Sequence, residues 1–417
     1  MRPLSAPGPG GLATAQAACT ACGRPHPLTA RTGACGCGRA QPLAVRAPGD
    51  AAALRAGLAG NVPSLWRYEA LLPVSRRFAS PLQVGWTPLV ACGRVGGVEL
   101  LVKDETRNPS GSLKDRASEV VVAVARAHGI GEAIVASTGN AAASLACIGA
   151  ATGLRVTVLV PEATPVAKLA QALAYGATVH RVAGSYDDAV AMAGRIAAAR
   201  GLLDRTTGLN PFTREGKKTC AFEICEQMGW RAPDWVIVPT GDGNILSALW
   251  KGFGELARHG VVTACPRLVA AQALGSCAIA RAHDPGAVPA DAPRGTIADS
   301  IAVDAPRDEA AALAALARTR GVAVTVDDGA IAGAVRALAS RFGLFVEPSS
   351  AAAYAAFEAL RGAGRFGPGE RVVCLATGSG LKDVGPLLAA LPAAAAPVRP
   401  EEWRALAAPP PAARRAV

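Results

Sequence analysis

From about residue 95 the chain alternates between short apolar runs and longer segments whose apolar positions recur every three or four residues. The runs VELLVKDE (98–105), EAIVAS (132–137), RVTVLVP (155–161) and ATVHRVAG (177–184) predict buried strands. So do DWVIVPTG (234–241), RLVAAQALG (267–275), GVAVTV (321–326) and RVVCLATGSG (371–380). Between them, KDRASEVVVAVARAHG (114–129), TPVAKLAQALAYG (164–176), YDDAVAMAGRIAAARG (186–201) and DDGAIAGAVRALASRFG (327–343) carry helical periodicity, and each ends at a glycine. Strands alternating with helices of this length predict an α/β fold with mostly parallel sheets. Ligands then bind at the carboxyl ends of the strands.

Residues 133–154, AIVASTGNAAASLACIGAATGL, carry no charge and are long enough to span a bilayer. The Ser-Thr-Gly-Asn near the start of this stretch reads better as a polar turn between a strand and a buried small-residue helix. The N-terminal MRPLSAPGPGG lacks the apolar region of a signal peptide, so the expectation is a cytoplasmic protein with no membrane partner.

Composition changes this picture little. The chain has 417 residues, 51% of them hydrophobic and 4% aromatic, and a formal charge of +11. The excess is arginine spread along the chain. No run of five basic residues and no aromatic–basic interleaving occurs, which sets nucleic acid aside. Eleven cysteines scattered through a chain of this size fit reduced thiols. Four of them, Cys19, Cys22, Cys35 and Cys37, cluster in CTACGRPHPLTARTGACGCG. Two sulfur pairs suit a tetrahedral zinc ribbon, although the second pair is C-x-C rather than C-x-x-C. A structural zinc and a metal-free remnant both remain open on this pattern. The five histidines show no ligand spacing.

Candidate chemistry lies in four loops. Lys114, one of only seven lysines, sits among small polar residues at a helix start in NPSGSLKDRAS. Ser137-Thr138-Gly139-Asn140 joins a strand to a helix, and free N–H groups there make an anion site. Thr240-Gly241-Asp242-Gly243-Asn244 does the same with glycines that let a phosphate approach the backbone; a dinucleotide fingerprint is absent. CLATGSGLKD (374–383) is another strand with a glycine-rich turn. A phosphate cradle, a second anion site and a lysine among small residues are together what a pyridoxal phosphate enzyme needs.

NPSGSLKDR, ASTGN, NPFTREGKKTCAFE, VPTGDGNI, TIADSI, EPSSAAA and TGSGLKD, with LWRYEALLPV and GWTPLV upstream, resemble the threonine synthase family. This belongs to the β-family (fold type II) of pyridoxal phosphate enzymes. The resemblance runs in order from about residue 19 to 390 and includes the cysteine ribbon. It implies two doubly wound parallel-sheet domains behind a small N-terminal cysteine ribbon. A tail and possible zinc-ribbon-like segment would span 1–45. The large domain would combine 46–105 with 205–395 and the small domain would span 106–204, with a disordered tail at 396–417.

The resemblance also implies roles. Lys114 would bind pyridoxal 5'-phosphate covalently and serve as the catalytic residue. Asn140 would hydrogen-bond the ring 3'-oxygen, Thr377 the ring nitrogen, and Thr240, Gly241, Asp242, Gly243 and Asn244 would cradle the phosphate, with the Asp242 side chain turned away. Ser137 and Thr138 would receive the substrate carboxylate, and Asn210 would line the substrate pocket. Glu347 would lie beside the cofactor. The implied reaction converts O-phosphohomoserine and water to threonine and phosphate, in a homodimer by analogy. Several positions depart from the family pattern: Ser185 and Ala191 stand where some relatives have Asn and Arg near the substrate phosphate, and Ser379 where His is common. These departures motivate the alternatives of serine or threonine dehydration, or a cysteate-synthase-like replacement at Cβ. Asn210, Arg214, Lys217 and Lys218 could compensate. A non-catalytic protein that keeps the fold is the rival from another class.

Overall fold

The computed structural model describes residues 16–20, 22–29, 35, 37, 43–46, 51–390 and 399. Two open sheets form its body. A six-stranded sheet runs in the order Val322–Val326, Arg267–Ala273, Trp235–Pro239, Arg371–Ala376, Val98–Asp104, Leu89–Val95. All its neighbours are parallel except the last pair. A four-stranded parallel sheet runs Thr178–Val182, Arg155–Pro161, Glu132–Ala136, Leu203–Asp204. The first therefore draws on segments on both sides of the second in sequence.

The apolar runs explain the central strands. Trp235 to Val238 are at most 1% exposed, as are Ala133 to Ala136. Such continuous burial requires helices on both sheet faces. The uncharged stretch 133–154 resolves into the strand Glu132–Ala136, a turn, and the helix Asn140–Thr152, and no helix among the described residues is long and apolar enough to cross a membrane. The strand Leu89–Val95 is half-exposed and antiparallel, with an irregularity between Ala91 and Gly93; its weak alternation hides it in the sequence.

At the N-terminus, Gln16–Cys19 pairs antiparallel with Pro25–His26 and with Leu43–Arg46. The Lys251 amine, from the helix Asn244–Arg258, donates to the Val45 carbonyl and ties this ribbon to the body. The expected tails before residue 16 and after residue 399 lie outside the described residues, as does most of 30–42.

Helix Lys114–Ala127 packs on Asn140–Thr152 and on Phe212–Lys217. The second contact is backbone against backbone: a Cβ on Gly216 would stand 1.8 Å from the Arg116 carbonyl oxygen. The Arg116 guanidinium is fully buried between two carboxylates. Nε and Nη2 donate to Glu105 at 2.7 Å each; Nη1 and Nη2 donate to Glu223 at 2.6 and 2.7 Å. Lys103 adds a 2.8 Å ion pair to Glu223. Burial alone would raise the Glu223 carboxyl, but Arg116 and Lys103 overrule it and hold it down at about 2. Removing one partner of such a network strands the others in a dry interior. Arg116→Met is expected to cost about 3–5 kcal/mol of unfolding free energy, read as a lowered denaturant midpoint; a midpoint equal to the parent's would contradict this account.

Candidate active site

Three strand ends deliver their turns to one cavity of about 460 Å³. From the four-stranded sheet, Glu132–Ala136 leads to Ser137, Thr138, Gly139 and Asn140. From the six-stranded sheet, Trp235–Pro239 leads to Thr240 through Asn244, and Arg371–Ala376 leads to Thr377. Lys114 lines the same cavity from its helix start. The lysine segment is stitched to the Thr377 turn by backbone: Leu113 N–H donates to the Thr377 carbonyl at 2.8 Å, and Ser112 bridges Gly378.

Among the described residues the Lys114 amine has no hydrogen bond and no ion pair. Burial is the main force on it and pushes it down from 10.5 to about 8; Glu347 and Asp242 oppose the fall and Arg205 assists it. An amine tuned this way is partly unprotonated near neutral pH, as a nucleophile or a base must be.

The Thr240–Asn244 turn is built for an anion. Gly243 adopts φ +83°, and a Cβ on it would meet Ala312 at 2.8 Å; one on Gly241 would meet Ile301 Cα at 2.9 Å. The turn is thus pressed against its backing, while the N–H groups of Gly241, Asp242 and Gly243 donate to no described protein group. The helix Asn244–Arg258 that follows has no side-chain cap, so its positive end also faces the turn. The Asp242 carboxylate accepts from the Arg307 N–H at 3.1 Å, and burial raises its pKa. Free N–H groups, a helix end and an unpaired amine suit a phosphate-bearing aldehyde, so these residues fit pyridoxal phosphate.

Glu347 also lines the cavity. Its carboxylate accepts from Asn140 Nδ2 at 3.1 and 2.9 Å, and burial raises its pKa against that bond. The Thr377 hydroxyl lies 3.0 Å from that of Ser350, which also bonds both the N–H and the carbonyl of Gly378. These partnerships join residues more than 25 positions apart and left no sequence signal beyond the quoted motifs.

Asn210 requires a correction. It does not line the cavity. Its amide donates to the Asp204 carbonyl at 2.8 Å and accepts from the Phe212 N–H at 2.9 Å, so both ends are spent on closing the loop before the helix Phe212–Lys217. Of its neighbours, Arg214 pairs with Asp308 at 2.8 Å and Lys218 with Glu215 and Glu255, whereas Lys217 does line the cavity. Thr207, Tyr186, Asp187, Arg307 and the segment 299–305 are further lining residues that were not anticipated. The motif TIADSI carries no chemical signal by itself, yet its Asp299, Ser300 and Ile301 are among them.

Apart from the cavity, the Cys19 and Cys37 sulfurs lie 3.8 Å apart, as do those of Cys22 and Cys35, and all four fall within 4.8 Å of one another. Cys147, Cys225 and Cys374 are buried in the core.

Comparison with known proteins agrees with this geometry. Residues 81–378 match the family model described as pyridoxal-phosphate dependent enzyme. Threonine synthase from Methanocaldococcus jannaschii is 42% identical, covering 76% of this chain and 80% of the relative. Threonine synthase from Halalkalibacterium halodurans is 37% identical over 77% of this chain and 91% of its own. Among solved structures, an O-ureido-L-serine synthase superposes with a TM-score of 0.63 at 21% identity, covering 78% of this chain and 96% of its own. The processed form of threonine deaminase isoform 2 from Solanum lycopersicum gives 0.62 at 20%, covering 83% and 94%. These two share the fold. The chain therefore belongs to the pyridoxal-phosphate dependent enzyme family, with the fold type II architecture, among the relatives of threonine synthase.

Proposed function

We propose that this chain is a lyase of the threonine synthase type, converting O-phosphohomoserine and water to threonine and phosphate. The observation that carries the reading is the unpaired Lys114 amine in one cavity with the uncapped Thr240–Asn244 turn, in a chain 42% identical to a threonine synthase.

Lys114 would hold pyridoxal phosphate, with the free N–H groups of Gly241, Asp242 and Gly243 on its phosphate. Asn140 would meet the ring oxygen and Thr377 the ring nitrogen. When bound, the cofactor supplies an aldehyde for amines and a sink for the electrons of a broken Cα–H bond. The chain's own groups do the rest. Ser137 and Thr138, at the N-terminus of the helix Asn140–Thr152, receive the substrate carboxylate. Glu347 holds the Asn140 amide in place through its two hydrogen bonds. A hydroxyl at Thr377, shared with Ser350, cannot protonate a ring nitrogen as a carboxylic acid would. That favours elimination and replacement over transamination. The Lys114 amine takes protons from the substrate Cα and Cβ, phosphate leaves Cγ with the C–O electron pair, Cγ takes up a proton to become the methyl group, water adds its hydroxyl at Cβ, and Cα regains its proton. The substrate is a small amino acid; the assembly we expect is a homodimer, by analogy, in the cytoplasm.

One observation favours a second reading. Ser185 caps the helix Tyr186–Arg200 by accepting from Asp188 N–H, Ala191 is exposed, and Asn210 is turned to backbone. Dehydration of serine or threonine, or replacement at Cβ, needs no phosphate contact at those positions.

We also propose a structural zinc on Cys19, Cys22, Cys35 and Cys37. Tetrahedral Zn–S bonds of about 2.3 Å set sulfurs about 3.8 Å apart, the spacing of both close pairs. Four thiolates leave no coordination position open, so the ion would brace the ribbon.

Four outcomes follow. The purified protein releases inorganic phosphate from O-phosphohomoserine faster than keto acid from threonine; the opposite order would move the assignment to a dehydratase. Lys114→Ala loses turnover by about 10²–10⁴-fold and no longer holds the cofactor through denaturation. For the apo-protein, visible absorbance from added pyridoxal phosphate develops faster as pH rises through about 8, where Lys114 sheds its proton, and levels off above it; a rate still climbing into the ordinary lysine range would contradict the tuned amine. Metal analysis is expected to find one zinc per chain, whose chelation lowers thermal stability.

A further inference from the structure

Seven lysine and arginine side chains among the described residues are buried: Arg67, Lys103, Arg116, Arg205, Arg214, Lys217 and Lys218. Five have a carboxylate partner. Arg205 and Lys217 have none, although both are 0% exposed. A buried cation without a counter-charge is expensive; Lys217 stands at the wall of the cavity and Arg205 behind it.

Lys217 lines that wall and donates to Asn244 Oδ1 at 2.5 Å. Arg205 lies one layer behind. Its Nε donates to Ser118 Oγ at 3.2 Å and its Nη1 to Thr207 Oγ1 at 2.9 Å, while Nη2 has no partner. Thr207 faces the cavity. Its oxygen is taken by the guanidinium, so its own O–H is free to donate outward, polarised by the charge behind it. Burial pulls both cations down, Arg205 to about 10, and Lys114 pulls Lys217 down further. The acids that face Lys217 are Asp308 and Asp242; Asp308 already serves Arg214 and Asn244, and Asp242 is turned to the Arg307 N–H.

We propose that Lys217 and Thr207, backed by Arg205, form a subsite for the distal phosphate of the substrate, beside the Thr240–Asn244 turn in the same cavity. This rests on the threonine synthase reading and deepens it: the chain takes an amino acid esterified with phosphate, and recognises it with a cluster that stands in for the donors missing at Ser185 and Ala191. A phosphate dianion supplies the counter-charge that Arg205 and Lys217 lack, with Lys217 and the Thr207 hydroxyl as the direct donors.

The other source of this chemistry is the cofactor's own phosphate, and the test separates the two. Inorganic phosphate is titrated into the holoenzyme by phosphorus NMR, and the cofactor's Kd is measured by dialysis, for the parent, Lys217→Gln and Lys217→Arg. Gln keeps the reach to Asn244 but drops the charge. Expected is a rise of about tenfold or more in phosphate Kd and in KM for O-phosphohomoserine for Lys217→Gln, largely restored in Lys217→Arg, with the cofactor's Kd changed less than about threefold. Loss of cofactor affinity with unchanged phosphate Kd would assign Lys217 to the cofactor and overturn the proposal; so would no change in either. Should Lys217→Gln misfold, Thr207→Val is put through the same titration with the same expected direction. Phosphate release by the parent tests the underlying reading by itself: if it occurs and the variants match the parent, only the subsite falls.

Discussion

Lys114 points into the cavity because Arg116 cannot move. Two residues apart on one helix, their side chains leave on nearly opposite faces. Arg116 is gripped by Glu105 and Glu223, and its backbone lies against Gly216 so closely that no side chain fits between. Glu105 follows the strand Val98–Asp104 and Glu223 sits in the helix Thr219–Gln227, so one guanidinium fixes the helix start to both sides of its surroundings. With the back of the helix pinned and its leading end stitched to the Thr377 turn, the lysine has one direction left.

Charge is distributed around this point with a consistent logic. Where the structure needs rigidity, buried cations meet carboxylates: Arg116, Lys103, Arg214 and Lys218 are all paired. Around the proposed phosphate sites they do not: Lys217 and Arg205 have no carboxylate partner, beside a helix end whose N–H groups donate to no described protein group. The acids within reach have their pKa values raised by burial, as at Glu347 and Asp242, which softens their negative charge. A cavity so arranged is poorly satisfied by itself, which is the ground for the phosphate sites we propose.

The small sheet and the large one meet at this cavity through side chains as well as turns. Arg307, from the segment before the helix Glu309–Thr319, pairs with Asp187 at 3.1 Å and approaches the Tyr186 ring. Asp187 is 82% exposed, so this pair contributes little to stability. Both residues line the cavity, and the exposure of Asp187 puts the pair at its rim.

The sequence alone determined the local half of this structure. Periodicities of two and 3.6 residues follow from backbone geometry, so the parallel strands and their helices were legible, as were the glycine turns at their ends and, by resemblance, the lysine. Weakly patterned pieces, such as the edge strand Leu89–Val95, were not. Only the tertiary structure decided which polar side chains are spent on the protein itself. Asn210 and Lys217 lie seven positions apart in one motif, yet the amide closes a local loop while the amine reaches the cavity beside Asn244. That choice depends on partners brought from distant segments and on how much water each group loses, quantities that no spacing along the chain encodes.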